Sequence, residues 1–504
     1  MKKYGKTIIL CSLLFASALF CGAGCSFGSD VKEDENGFTY ESVDGGYAVS
    51  GVKEVKKGKI VIPDKFNGKA VVAIAEGAFK DEDTLVEVVM PNSLQTVGVS
   101  AFADCDQLQT LTFGSAITEI ENKAFENCLK ITEVELPDSL ISIGSEAFTG
   151  CNKLKEILLP DSVETVGEKA FYGLEALAYV EIGDGLKQVK TMAFADCEAL
   201  KEVKISDNAP LEIGEKAFYS CQYLHTVTFG KEVKSIGVSA FASDIHLTEV
   251  KIGDKCRVIA TGAFSGNFHL TSVTLGTGLA SIGNNAFNEC QTLVEVCNKS
   301  DLNVRKGDSG NGGVAKKALN VCEKEEDKKL YVGKQNVIYY QDGEELIAVG
   351  QKIKESGVAL SFEENTTQIL PMAFYNNNTI ASVTIGDKVK SVGRKAFSWC
   401  TKIKTLVLGD SVTELGVEAF YSCTFMDSVV IGSGLKTVAD NAFYKCNVLT
   451  NVFYKGTIGE WEQISFGANA TKIADAKKYF YSETQPTGTA NYWYYDENGA
   501  LRVW

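Results

Sequence analysis

The five residues AFADC stand at Ala101–Cys105 and again, unchanged, at Ala193–Cys197. The core of this word recurs far more often. An Ala-Phe pair ends at Phe79, Phe102, Phe125, Phe148, Phe171, Phe194, Phe218, Phe241, Phe264 and Phe287, then at Phe374, Phe397, Phe420 and Phe443. Successive spacings are 23 residues, apart from one of 24 (Phe194 to Phe218) and one gap of 87 (Phe287 to Phe374). Fourteen copies in register define a structural unit, not a chance dipeptide.

The remainder of the unit keeps the same period. An aliphatic residue or Met follows each Phe by six positions, from Leu85 through Ile131 and Leu154 to Met426 and Leu449. Positions nine and eleven are apolar in nearly every unit, as in Val203/Ile205 and Val383/Ile385, with polar residues between them. Alternation of period two predicts a short half-buried strand. Pro or Gly then closes it, at Pro137, Pro160 or Gly183 for example, often with Asp or Ser after it, which is turn chemistry. Each unit therefore reads as one coil: strand, turn, short extended piece, tight bend carrying Ala-Phe. A coil cannot bury its own apolar edge, so the coils must stack into a solenoid with a continuous core. The period lies in the range of leucine-rich repeats, and fourteen coils at about 4.8 Å each span roughly 65–70 Å.

The 87-residue gap contains a second beginning. FTYESVDGGYAVSG (38–51) and VIYYQDGEELIAVG (337–350) share an aromatic-rich strand, an Asp-Gly turn and an apolar strand. Both read as hairpins covering a first coil. The expected organisation is a signal segment at 1–24, a tether at 25–37, a first array with its hairpin at 38–321, a charged junction at 322–334, a second array at 335–465, and an aromatic cap at 466–504 that closes the open end. The cap holds Trp493 and Trp504; Trp461 lies just before it.

Residues 1–25, MKKYGKTIILCSLLFASALFCGAGC, carry Lys2, Lys3 and Lys6, an apolar run, and Gly22-Ala23-Gly24 before Cys25. This is the pattern of an export signal. The small residues before a Cys resemble the lipobox of bacterial lipoproteins, which implies acylation of Cys25 and an anchor on the extracytoplasmic face of a bacterial membrane. The alternative is an ordinary secretory signal cleaved nearby. A net charge of −15 and a pI near 5.0 argue against nucleic acid or an anionic membrane surface as the main partner.

Fifteen cysteines in an exported chain would suggest disulfides. Nine of them, however, sit three residues after the repeat Phe: Cys105, Cys128, Cys151, Cys197, Cys221, Cys290, Cys400, Cys423 and Cys446. In stacked coils their Cβ vectors run parallel and pairing would leave some unpartnered, so a ladder of small buried thiols is expected.

The unit ITEVELPDSLISIGSEAFTGC (131–151) resembles the BspA-type leucine-rich repeats of bacterial surface proteins, and the resemblance covers about 38–458. It implies a non-enzymatic surface protein, with adhesion to host matrix or to other bacteria as its family role. The tail 479–504 is similar to the ends of related repeat lipoproteins. WYYDENGALRVW (493–504) also resembles one unit of aromatic cell-wall-binding repeats, although a single copy reads more simply as an Asn-Gly hairpin capping the end.

Other patterns weigh less. GDSGNGG (307–313) looks like a serine nucleophile loop, but the three His that could serve as base, His225, His246 and His269, all lie inside repeat coils. These three are weak metal candidates and are expected to be exposed on repeat turns. Glu87, Glu133, Glu156, Glu202, Glu249 and Glu295 recur eight residues after the Phe, with Glu135 and Glu181 beside them. Such carboxylates could suggest a hydrolase, but interleaved lysines read as a solvated charged strand face. Ten residues after the Phe, the second array carries Thr384, Val407, Val430 and Phe453, a candidate apolar binding strip. The expected function is binding of an extracellular protein or glycan along the strand face by a monomer without cofactor. A passive spacer or cell-wall-associated protein is the alternative, and a hydrolase a more distant one.

Overall fold

The computed structural model describes residues 32–352 and 356–504, so the signal segment and Cys25 lie outside the described residues. The described residues open with the short strand Lys32–Glu33, antiparallel to the first strand of the hairpin Phe38–Val43 and Gly46–Val52, which turns at Asp44-Gly45, and the second hairpin strand pairs in parallel with Lys69–Ile74. From there the chain winds as a solenoid.

Most coils contribute to two parallel ladders. One is built of two-residue strands such as Thr96–Val97, Glu119–Ile120, Ser142–Ile143 and Thr165–Val166, each paired with the next. The other carries the longer strands predicted from the period-two pattern. Glu156–Leu159, Tyr179–Ile182, Glu202–Ile205 and Thr226–Thr228 pair in parallel, Glu156 opposite Tyr179 and Tyr179 opposite Glu202. Glu249–Lys251, Ser272–Leu275, Glu295–Asn298 and Asn320–Cys322 continue it after a break. In Glu156–Leu159 the residues alternate exposed and buried, with Ile157 and Leu159 inside.

The bend explains the repeated word. Within each array the Phe N–H donates to the Ala carbonyl of the next coil, Phe148 to Ala170 and Phe171 to Ala193, both at 2.8 Å, while Phe287 at the end of the first array donates to Gly312 O at 2.9 Å. Small Ala lets the backbones approach this closely. The Phe rings stack on one another, with centroids 5.1 Å apart for Phe79–Phe102, 5.3 Å for Phe148–Phe171 and 5.2 Å for Phe397–Phe420, all within 11° of parallel. The residue two after the Phe adopts a left-handed backbone, φ 62° at Asp104 and 57° at Asp196, a conformation that Asp and Asn tolerate best among side-chain residues. Each of the nine Cys thiols three residues after a repeat Phe donates to the Phe carbonyl of the preceding coil, Cys105 to Phe79 at 3.0 Å and Cys446 to Phe420 at 3.1 Å. All twelve cysteines among the described residues are free and buried. The Gly three residues before Ala-Phe is a packing requirement: a Cβ on Gly167 would stand 2.5 Å from the carbonyl carbon of Gly144.

The second array starts with the hairpin Val337–Asp342 and Glu345–Gln351, flanked by Leu330–Val332. Its longer ladder runs Val358–Ser361, Ile380–Ile385, Thr405–Leu408, Ser428–Ile431, Asn451–Tyr454. It then goes on to Lys477–Tyr481, so the coil after Phe453 continues the solenoid in a longer form. Ala470, capping the short helix Thr471–Asp475, and Ile473 on it fill the inside of that coil where Ala-Phe stood in the others. The tail ends in the hairpin Tyr492–Tyr495 and Leu501–Val503, where the Asp496 carboxylate accepts from the N–H groups of Asn498 and Ala500 and from Arg502 Nε. No helix among the described residues is long and apolar enough to cross a membrane.

The two arrays have separate cores, and a smaller apolar cluster of Val294, Ile338, Tyr340 and Val349 joins them.

Candidate functional site

The outer face of the longer ladder presents Glu156, Tyr179, Glu202 and Thr226 in one cross-strand row, and Leu158, Glu181, Lys204 and Thr228 in the next. Glu133 and Glu135 are exposed on the same side in a coil without regular strand pairing. The charges are mixed. Glu181 accepts from Lys204 Nζ at 2.6 Å and from the Tyr179 hydroxyl at 2.8 Å, and Lys204 holds its carboxyl below the usual range. Lys59 pairs with Glu87 at 2.7 Å. Between these charges Leu158 is 49% exposed. The face is thus a broad, uncovered strip of alternating charge with an apolar step, a surface suited to recognition and not a pair of carboxylates converging on one point.

This face is occupied at its C-terminal end. Ser272, Thr274, Glu295 and Cys297 point outward from their strands and are nevertheless buried. The start of the second array lies on them. Glu295, 1% exposed, accepts the backbone N–H of Lys329 at 2.5 Å and of Leu330 at 3.3 Å, and Lys328 Nζ donates to Thr274 Oγ1 at 3.0 Å. Glu295 therefore does not belong to the solvated face expected from its spacing. A cleft of about 400 Å³ remains beside the contact, at the break in the ladder, lined by His225, Phe229, Glu249, Lys251 and Lys352 among others.

The histidines also differ from expectation. His246 and His269 are buried, and His225 is half-buried. Their rings stack at 5.6 Å (His225–His246) and 5.3 Å (His246–His269), and His269 Nε2–H donates to the Tyr375 carbonyl of the second array at 2.6 Å. Burial pushes His246 down to about 3 and His269 to about 4, so both rings are neutral at physiological pH. His269 is covered by the docked second array, and His246 is packed between the His225 and His269 rings; the first of these contacts is one that no spacing within one repeat reports. No group of three His, Cys, Asp or Glu side chains that could hold a metal ion occurs among the described residues.

The apolar strip of the second array is open only at its N-terminal end. Thr384 is exposed and Val407 half-buried, but Val430 and Phe453 are each 9% exposed. Their side chains do point away from the coil interior. The tail then lays its own aromatics over them: Tyr479 stacks on Phe453 at 4.8 Å, and Trp493 meets Phe453 edge-on at 5.9 Å and donates its indole N–H to Tyr454 O at 3.1 Å. The strip is half cap interface, and the expectation of a solvent-facing row along its full length is corrected accordingly. The aromatic-rich tail was the signal for this cover.

Two stacked parallel ladders, an internal Phe column and an open outer strand face define a leucine-rich repeat solenoid, a fold that works as a binding scaffold. The chain belongs to the BspA-type leucine-rich repeat family: the profile of the BspA type leucine rich repeat region, six copies, matches residues 72–201, 192–305 and 355–472, well over half of the sequence. Members of this family are repeat proteins of protein–protein interaction, generally without catalytic activity. Among solved structures the chain is similar to a leucine-rich repeat protein from Bacteroides ovatus, at 23% identity over 90% of this chain and 99% of that one, with a TM-score of 0.45. The T. pallidum leucine-rich repeat protein is 27% identical over 40% of this chain and 99% of its own, with a TM-score of 0.35. A leucine-rich cell surface protein from Faecalibacterium prausnitzii is 18% identical over 86% and 97%, with a TM-score of 0.29. No curated protein matches.

Proposed function

We propose that this chain is a non-enzymatic interaction protein, exported by residues 1–24, held at the cell surface by lipid on Cys25 with 26–37 as a tether, and binding an extracellular protein as a monomer along the outer strand face of its first array. One observation carries the binding reading. The same face, over Ser272–Leu275 and Glu295–Asn298, already receives a folded protein surface, with backbone N–H groups on Glu295 and an apolar cluster beside them. Toward the N-terminus the face continues uncovered, with the same mixture of carboxylates, lysines and an exposed Leu158.

The test is retention of the purified chain on immobilised host-matrix and bacterial-surface extracts. Leu158→Asp with Glu181→Lys should leave thermal unfolding nearly unchanged, since both side chains lie on the outer face, and reduce retention tenfold or more, about 1.4 kcal/mol. Undiminished retention of the folded variant would remove the site from this face. Absence of retention by the parent chain would leave a passive spacer. In cells, Cys25→Ser should move the protein from the membrane to the soluble fraction and abolish fatty-acid labelling; continued membrane partitioning would refute the lipid anchor.

A further inference from the structure

The position two after each repeat Phe has a left-handed backbone in all fourteen coils, φ between 54° and 83°. Its occupants are Asp81, Asp104, Asn127, Gly150, Gly173, Asp196, Ser220, Ser243, Gly266, Glu289, Asn376, Ser422 and Lys445, with a single aromatic, Trp399 at φ 64°. A bulky residue in this conformation is strained. Core packing does not offset that strain, because Trp399 is 42% exposed and belongs to neither hydrophobic core.

What surrounds it is a row. Trp399 and Tyr421 have ring centroids 5.8 Å apart, and Tyr421 and Tyr444 are again 5.8 Å apart. Lys445 Nζ reaches back across the small Ser422 to lie 5.3 Å from the Tyr421 centroid and 5.9 Å from that of Trp399. Phe425, 65% exposed, and Val448 lie alongside, three residues further along the bend. The row follows the coil stacking direction, on the edge that carries the Ala-Phe bends and not on the outer strand face. Its rings are tilted by 51° and 40° to one another, so they form a series of shallow steps, with Trp399 and Tyr444 exposed at its ends and the half-buried Tyr421 between them under the Lys445 ammonium.

A step of this size is close to the length of one pyranose ring, and the apolar C–H face of a sugar is the chemical complement of an exposed aromatic face. An ammonium held among the rings supplies the partner for a carboxylate or sulfate on the chain. A protein hot spot, in contrast, is buried in a desolvated pocket within a rim that excludes water, which a stepped edge does not supply. We propose that Trp399, Tyr421, Tyr444 and Lys445 form a track that binds an acidic polysaccharide, a second binding surface beyond the strand face.

The probes are hyaluronan, polygalacturonate and heparin as acidic chains, with dextran and chitohexaose as neutral ones. Binding of the chain from residue 26 onward is followed by affinity electrophoresis and tryptophan fluorescence. Substitutions taken from neighbouring coils keep the fold: Trp399→Asn copies Asn376, and Tyr421→Ser copies Ser398. At least one acidic chain should bind and weaken as salt is raised. The double variant should lose tenfold or more in affinity while unfolding at the same or a higher temperature, since the left-handed strain is relieved. Lys445→Gln should weaken the acidic probe selectively. Failure of all three acidic chains to bind, equal binding of neutral chains untouched by Lys445→Gln, or full binding by the folded double variant would overturn the proposal. Loss in the double variant of a protein ligand with no polysaccharide bound by the parent would reassign the row to a protein partner.

Discussion

At the residue scale, the slot three after the repeat Phe shows one side-chain task solved in several ways. Nine coils use a thiol whose S–H donates to the preceding Phe carbonyl, and Asn267 does the same with its amide, Nδ2 to Phe241 O at 2.8 Å. Asp244 occupies this slot with no exposed surface; its Oδ1 accepts from the Cys221 N–H at 2.8 Å and its Oδ2 has no partner. Burial drives its carboxyl well above the usual range. The folded chain therefore holds this proton more tightly than the unfolded chain, and the stability contribution falls as pH rises above the ordinary Asp value. Asp244→Asn should supply the missing donor toward Phe218 O and raise stability at pH 7 by about 1–3 kcal/mol, read from urea unfolding, with a smaller effect near pH 4. The thiols have the same sign. Cys105, Cys151, Cys197, Cys290 and Cys400 are pushed by burial from 9 up to about 12. Their contribution is intact below pH 9 and is lost between 9 and 12, by about 1.4 kcal/mol per pH unit for each thiol. Cys128→Ala with Cys151→Ala should flatten that alkaline decline in a pH series of urea titrations; an unchanged slope would mean other groups cause it.

At the element scale, the outer strand face of the second array divides into an open part and a covered part, and substitutions should separate them. Val430 lies beneath Tyr479 and Trp493, so Val430→Lys must either bury an ammonium among aromatics or lift the tail, at about 2 kcal/mol or more. Thr384→Lys, on an exposed outward position two strands earlier, should stay within about 0.5 kcal/mol. Urea unfolding gives the magnitudes, and faster proteolysis in the 482–491 connection of the Val430 variant would show that the tail has lifted. The contrast also marks how far the sequence could be read. The 23-residue period reports contacts between a residue and its counterpart one coil on, and it made the Phe column, the thiol ladder and the strand faces legible, while the Asp-Gly turns marked the two hairpins locally. The contacts that decide which outward residues stay free join Phe453 to Trp493, Glu295 to Lys329 and His269 to Tyr375, separations of 40, 34 and 106 residues. None is a multiple of the period, so the repeat pattern is silent about them. Trp399 was legible in principle, as the one aromatic in a slot of small and polar residues, but only once the left-handed backbone of that slot was known.

At the scale of the whole molecule, the two solenoids behave as one body only as far as their junction holds. Each has its own continuous core, and the link between them is the small cluster of Val294, Ile338, Tyr340 and Val349, the His269–Tyr375 hydrogen bond, and the buried carboxylate of Glu295. That carboxylate also accepts from Asn320 Nδ2 at 3.3 Å, so one side chain fixes the last strand of the first array and the entry to the second. Glu295→Ala would leave the N–H groups of Lys329 and Leu330 without their acceptor, at about 1–3 kcal/mol. Glu295→Gln keeps an amide oxygen at the same place and should cost less. Neither residue touches the Phe columns, so the change should appear as loosening of one array against the other and not as melting of either. The expected signature is faster amide exchange at Lys329 and Leu330 with a larger radius of gyration by solution X-ray scattering in the Ala variant, and intermediate behaviour in the Gln variant. If the amides exchange faster while the radius is unchanged, the apolar cluster alone holds the arrays together and Glu295 serves only the local turn. If both measurements stay at the parent values, water has replaced the carboxylate and the junction does not depend on it.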